Sequence, residues 1–356
     1  MKESTILQDL IRYNTAEDAE NKLAVEEIEE VLKRHGFVTK TIEDGYTKKR
    51  CLVATINNPT LGFLMHLDTC TVGGKWSVNP NELTEMGDKL IGLGICDMKG
   101  GIGAVLNAVL DSNFHVLKNG VALYFTFDEQ VGFDGVNLLQ SRGVEFTRRL
   151  ISPHATSLRP VVSCKGMIEC NMIFKGVEAH SAHVNKGDNA IDKMMECVAE
   201  LKAFANKLAE NKDNAYEIPY TTLNISKVSG GSAINKVAGD ASVFFDFRTI
   251  RAEHHDMILN KVKELSIKYN AFHTIINNIK PMQCQDSEFV DTIEKLTGKA
   301  RSTTAVVSEG AFVPNSDVIL LGPGPNTSNE ADEYISSFSY NNAIKLYKDL
   351  ISIYCK

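Results

Sequence analysis

The chain has 356 residues, 43% of them apolar, and a formal net charge of −7. That length supports a full hydrophobic core and favours two domains over one. The acidic balance leaves no basic stripe to displace counterions from a phosphate backbone, and no run approaches the ~20 apolar residues of a membrane span, so neither nucleic acid nor a bilayer is an expected partner.

The eight cysteines form no Cys-x-x-Cys pair, which argues against a disulfide framework or a structural zinc ribbon. The N-terminal stretch Met1-Lys2-Glu3-Ser4-Thr5-Ile6 contains no apolar signal core, and a reduced, cytoplasmic protein is expected. Two helices are predicted in the first forty residues. Ile6, Leu10 and Ile11 mark one apolar stripe; Leu23, Ala24, Ile28, Val31 and Leu32 mark the other, stopped by His35-Gly36. Residues 51–56 and 62–67 read as strands. Residues 101–110 read as a helix with Ile102, Val105, Leu106 and Val109 on one side, and 121–127 as a near-continuous apolar strand. This order predicts a mixed, mostly parallel sheet between helices.

The pattern then changes. Residues 167–175 read as a strand and 189–208 as a helix bearing Ile191, Met194, Met195, Val198, Leu201 and Leu208. Strands at 221–229 and 241–248, a helix at 253–269 and a strand at 271–279 complete a β-α-β-β-α-β series, the ferredoxin-like arrangement. The α/β pattern resumes at 303–307 and 318–321 and ends in a helix with Ile344, Leu346, Tyr347, Leu350 and Ile351. The expected organisation is an α/β catalytic domain over 1–166 and 281–356, interrupted by an α+β lid or dimerisation domain over 167–280.

Three short stretches carry the chemistry, each after an apolar run: His66-Leu67-Asp68, Cys96-Asp97-Met98-Lys99-Gly100-Gly101 and Asp128-Glu129-Gln130. His66 and Asp68 lie two apart at a strand end, so their side chains can share a face. An imidazole is a good zinc ligand, and a carboxylate behind it sets its tautomer. Asp97 follows a glycine-rich turn and offers two oxygens to cations. Spacing for a phosphate loop is missing there, and the acid would repel phosphate. Glu129 ends a strand where a general base is useful. In isolation each motif reads equally well as a polar loop; their order along the chain is what carries weight.

Together the motifs resemble the family of acetylornithine deacetylases, succinyl-diaminopimelate desuccinylases, aminoacylases and glutamate carboxypeptidases. The resemblance extends to Thr156-Ser157-Leu158-Arg159-Pro160, Ala179-His180-Ser181, Gly230-Gly231-Ser232-Ala233-Ile234-Asn235, Asp246-Phe247-Arg248 and Asp332-Glu333-Tyr334-Ile335. It implies a two-zinc catalytic domain and a smaller domain that dimerises. By position it implies His66 and Asp97 as metal ligands, Asp68 behind His66, Glu129 as base, and His180, Asn235 and Arg248 as substrate-binding residues.

Three positions depart from the family pattern. Gln130 stands where a second glutamate binds one zinc, His154 stands where a carboxylate binds the other, and Asn329 replaces the last histidine. Amide oxygens bind zinc poorly, so the remaining set is His66, Asp97 and His154, enough for one divalent ion, zinc by ligand type, with Gln130 and Asn329 facing a vacant position. The expected protein is a homodimeric metal-dependent amide hydrolase, a deacylase or small-peptide peptidase acting on an N-acyl amino acid or dipeptide. Two other readings stay open: a metal-poor homologue that binds an amino-acid derivative without hydrolysis, and an amide-forming acyltransferase.

Overall fold

A computed structural model describes residues 5–16, 19–325 and 330–356. In chain order the principal elements are α1 (Ile6–Arg12), α2 (Lys22–Arg34), β1 (Val38–Glu43), β2 (Arg50–Thr55), β3 (Pro59–His66), α3 (Gly100–Leu110), β4 (Gly120–Thr126), α4 (Asp134–Ser141) and β5 (Arg149–Ala155). There follow β6 (Gly166–Lys175), α5 (Ala190–Ala209), β7 (Thr222–Gly230), β8 (Asp240–Thr249), α6 (Ala252–Lys268) and β9 (Ala271–Ile279). The chain then returns through α7 (Ser287–Thr297), β10 (Asp317–Gly322) and α8 (Ser337–Tyr354).

Two compact units result: Met1–Val162 with Gln283–Ser302 and Ser308–Lys356, and Ser163–Met282 with Thr303–Val307. The divisions therefore fall at 162/163 and 282/283 rather than 166/167 and 280/281. Residues 303–307, expected in the first unit as a strand, go with the second, and only Ser302–Thr304 is extended there. Val306 is exposed and Val307 buried, so only part of the apolar run that suggested a strand is covered.

In the first unit the strand order is β1-β2-β4-β3-β5-β10. The pairs β3–β4, β3–β5 and β5–β10 are parallel, and β1–β2 and β2–β4 are antiparallel. Every residue of β4 is buried, which is why it reads as an unbroken apolar run. Strand β1 (Val38–Glu43) escaped the sequence reading because only Ile42 of this edge strand is buried. Leu23, expected on the apolar stripe of α2, is exposed. The stripe is Ala24, Val25, Ile28, Val31 and Leu32, and Leu23 falls on its flank.

The second unit has the order β7-β8-β6-β9, antiparallel throughout. Strands β6 and β8 alternate buried with more exposed residues, as expected for a sheet with one covered face. Ile168, Cys170, Met172, Val243 and Phe245 pack there against Met194 and Leu201 of α5 and Ile258, Val262 and Leu265 of α6. Met195 is exposed, a third of a turn off the stripe that Met194, Cys197 and Leu201 define.

Candidate metal centre

Parallel strands bring their C-terminal ends to one edge of a sheet, the usual place for a site in an open α/β fold. His66 closes β3 directly opposite Thr126, the last residue of β4. His154 is the penultimate residue of β5 (Arg149–Ala155). Glu129 follows β4 in a turn whose Asp128 has φ of 60° and whose carbonyl accepts from Gly132 at 3.0 Å. Lys49 forms a buried ion pair with the Asp128 carboxylate and anchors that turn.

Asp97 arrives from the glycine-rich turn before α3. Gly94 has φ of 75°, and a Cβ there would lie 2.3 Å from Thr69 Cγ2. Gly101, in the first turn of α3, passes so close to β5 that a Cβ would meet the Pro153 carbonyl oxygen at 2.1 Å. The paired glycines of the Asp-Met-Lys-Gly-Gly stretch thus let α3 dock where Asp97 reaches the strand ends.

The five expected residues of the first unit converge. His66 is fully buried; its Nδ1 lies 3.1 Å from the Asp68 carbonyl oxygen and 3.4 Å from Asp68 Oδ1. Those contacts hold a proton on Nδ1, so that Nε2 is the nitrogen that would exchange its own proton for an ion. Nε2 has no hydrogen-bond partner among the described residues, and Asp97 Oδ1 is 3.3 Å from it. His154 Nε2 lies 3.9 Å from Asp97 Oδ1 and 3.7 Å from Glu129 Oε1, while its Nδ1 is 3.0 Å from Ser152 Oγ. Donor atoms of His66, Glu129 and His154 all lie within 4.8 Å of one another.

Burial opposes charge on His66, yet the Glu129 and Asp68 carboxylates, with Asp97, hold its pKa well above the ordinary imidazole value. Burial would raise Asp97, but its contact with His66 and the charges of His66 and His154 lower it to about 2. The cluster is therefore an anionic pocket organised around two imidazoles. Metal–ligand distances of ~2.0–2.2 Å put tetrahedral donors roughly 3.3–3.6 Å apart. The 3.3 Å between His66 and Asp97 fits that spacing, and the 3.9 Å between His154 and Asp97 needs only a few tenths of an ångström of closure. A buried imidazole nitrogen without a partner, faced by carboxylates, suits a divalent ion.

Gln130 does not face an open position, and the expectation that it does is corrected. Its Nε2 donates to Asp97 Oδ2 at 3.0 Å and to Glu129 Oε2 at 2.9 Å, its Oε1 accepts from Cys70 Sγ at 2.9 Å, and its main-chain N–H donates to Asp68 Oδ2 at 3.0 Å. Asn329 lies outside the described residues.

Two buried acids were not anticipated. Glu333 precedes the strand Tyr334–Ser336 and accepts from the main-chain N–H groups of Gly94 and Cys96, tying down the turn that carries Asp97. Burial pushes Glu333 up to about 7 and the neighbouring Lys99, which donates to the Tyr13 carbonyl at 2.8 Å, down to about 7. Glu309 sits in the short turn Glu309–Phe312 with 0% exposure. Burial raises its pKa to about 8 against the opposing pull of His66 and of the Thr126 hydroxyl, with Glu129 and Asp68 adding to the rise. A motif search passes over it because nothing local in Ser308-Glu309-Gly310 marks an acid that tertiary packing will bury.

A pH prediction follows from Glu309. A carboxyl raised from about 4.5 to about 8 on folding stabilises the protein fully below the unfolded value, and that contribution is lost as pH rises through about 8. In chelator-treated protein, Glu309→Gln should gain stability relative to the parent by a few kcal/mol (order of magnitude) between pH 4.5 and pH 9. Parallel denaturation midpoints for the two proteins across that range would refute the buried-acid assignment.

In the second unit, His180 and Asn235 are drawn together: His180 bridges to Lys236, and Ser181 N–H donates to the Asn235 carbonyl at 2.9 Å. Both side chains belong to exposed residues. Arg248, half-buried on β8, donates from Nε to Asp246 Oδ2 at 3.0 Å. Among the described residues no helix is long and apolar enough to cross a membrane.

Residues 162–273 match a family described as the peptidase dimerisation domain. An acetylornithine deacetylase of Pasteurella multocida is 28% identical over 353 residues, spanning 95% of this chain and 92% of its own length. Among solved structures, an aminopeptidase from Bacillus cereus superposes with a TM-score of 0.79 at 16% identity, over 100% of both chains. A dinuclear metal-binding peptidase from Bacillus subtilis, of the M20 family, gives 0.71 at 12% identity, over 99% of this chain and 97% of its own. At those identities the two structures speak to the fold alone.

Proposed function

We propose, from the premise that this chain belongs to the acetylornithine deacetylase, succinyl-diaminopimelate desuccinylase, aminoacylase and glutamate carboxypeptidase family of metallopeptidases, that it hydrolyses the amide bond of a small N-acyl amino acid or dipeptide at a one-ion centre. The observation that carries the reading is the convergence on Asp97 Oδ1 of His66 Nε2 at 3.3 Å and His154 Nε2 at 3.9 Å, with Glu129 beside both imidazoles within 4.8 Å. His66, Asp97 and His154 would hold the ion, and a set of two imidazoles and one carboxylate suits zinc. A bound divalent ion supplies Lewis acidity, drawing charge from the scissile carbonyl and lowering the pKa of water toward ~7.

The chain's own residues do the rest. Glu129 takes the proton of the attacking water and passes it to the departing amine. Asp68 fixes the His66 ring through the Nδ1 side, so that Nε2 keeps its lone pair for the ion. His180, Asn235 and Arg248 bind the substrate, and the ion pair with Asp246 holds the Arg248 guanidinium in place. The relatives' name makes N-acetylornithine the first compound to try.

The test joins two measurements on the purified protein: metal per chain by elemental analysis, and amine release from N-acetylated amino acids and dipeptides. One ion per chain with hydrolysis that chelator abolishes supports the reading. Two ions per chain, or hydrolysis that survives complete metal removal, would refute it.

The second unit is proposed to mediate a homodimer. The family match covers it, and β7 lies at the edge of its sheet with Val228 exposed. An edge strand offers unpaired main-chain groups to a second copy. Light scattering at micromolar concentration should return twice the chain mass; a monomer mass at that concentration overturns the assignment.

A further inference from the structure

The Gln130 carboxamide lies between two carboxylates and touches both. Its nitrogen is 3.0 Å from Asp97 Oδ2 and 2.9 Å from Glu129 Oε2, and its oxygen faces the Cys70 thiol. Chemistry settles the orientation, because turning the amide over would set its oxygen against two anionic acceptors and its NH2 against a thiol. Asp97 is thereby divided: its Oδ1 lies 3.3 Å from His66 Nε2, while its Oδ2 faces the amide. Glu129 Oε2 meets the amide and also lies 3.9 Å from His66 Nε2, and its Oε1 lies 3.7 Å from His154 Nε2.

Two carboxylates held this close repel one another unless something positive or hydrogen-donating stands between them. A cation would serve, and so does an NH2 group with one hydrogen for each oxygen. The amide carries no net charge, needs no coordination shell and is covalently present in every copy.

The geometry points to Gln130 as a built-in neutral substitute for a second cation: its NH2 engages Asp97 Oδ2, the oxygen turned away from His66 that a second ion would take, ties it to Glu129 Oε2, and so restricts the centre to one ion. This rests on the one-ion reading above and adds its cause. Residue 130 excludes a cation by occupying its ligands, beyond merely failing to bind one.

Two variants separate exclusion from simple ligand loss. Gln130→Met keeps the length and removes both hydrogens; Gln130→Glu removes them and adds a donor oxygen. Full-length parent and variants are titrated with Mn2+ by calorimetry, and ions per chain are counted by electron paramagnetic resonance, where two neighbouring ions give a spin-coupled signal. Both variants are expected to take up one ion more than the parent, with second-ion affinity raised about tenfold or more over any second uptake by the parent. An extra ion in Gln130→Glu alone, or in neither variant, overturns the inference, since removing the hydrogens would then have freed nothing. The difference between variant and parent decides this inference, whereas the absolute count in the parent decides the one-ion reading. A parent that binds no ion defeats that reading while the difference still judges Gln130; a parent that binds two defeats both.

Discussion

Glu129→Gln is expected to keep one metal ion per chain while turnover falls by ~10²–10⁴-fold, the usual loss on removing a general base. The substitution is isosteric, and its amide oxygen can still accept from Gln130 Nε2, which now meets Glu129 Oε2 at 2.9 Å. What disappears is the basic carboxylate, whose Oε1 lies 3.7 Å from His154 Nε2 and whose Oε2 lies 3.9 Å from His66 Nε2. Because Glu129 also lies within 4.8 Å of both imidazoles, the alternative is that it is itself a ligand. Metal counting on the variant distinguishes the two. Loss of the ion together with activity would move Glu129 from base to ligand and leave the centre without an identified base.

His66→Ala should abolish hydrolysis and weaken metal binding by more than the ~10–100-fold typical of changes behind a ligand. It should also destabilise the metal-free protein. His66 is fully buried beside Asp68, Asp97 and Glu129, and removing its imidazolium strips these carboxylates of a buried ion-pair partner and leaves them His154 and the Gln130 N–H groups, a loss on the order of 3–5 kcal/mol. The sign of the pH dependence follows from its raised pKa. A histidine raised on folding contributes stability that is complete below the unfolded imidazole value near 6.5 and is lost as pH rises through the folded value. The deficit of His66→Ala should therefore be largest in chelator-treated protein below pH 6 and shrink in alkali. Stability curves for parent and variant that differ by a constant across that range would contradict the charged-imidazole assignment.

Local pattern made much of this protein legible. Strand β4 is buried on both faces and reads as an apolar run, and the second unit's alternating strands and amphipathic helices read as β-α-β-β-α-β in the order found. His66, Asp68, Asp97 and Glu129 stood out because each follows an apolar run or a glycine-rich turn, and the family resemblance gave them their roles and singled out His154, whose strand was not anticipated. Strand β1 and helix α7 were not anticipated, for different reasons. β1 is a mostly exposed edge strand without an apolar signature, whereas α7 carries the stripe Phe289, Val290 and Ile293 between the cap Asp286 and Gly298, a legible pattern that was passed over.

By itself, then, the chain's order of residues determined which side chains are available to the centre and on which kind of element each one stands, since periodicity and turn chemistry are local properties. Only the tertiary structure decided what those side chains do to one another. It set the Gln130 amide between two carboxylates, closed Glu333 over the turn that carries Asp97, and buried Glu309 within reach of the charges of Glu129 and Asp68. The physical reason is that desolvation and charge coupling depend on distances across the fold, between residues as far apart in sequence as His66 and Glu309, which no local pattern encodes.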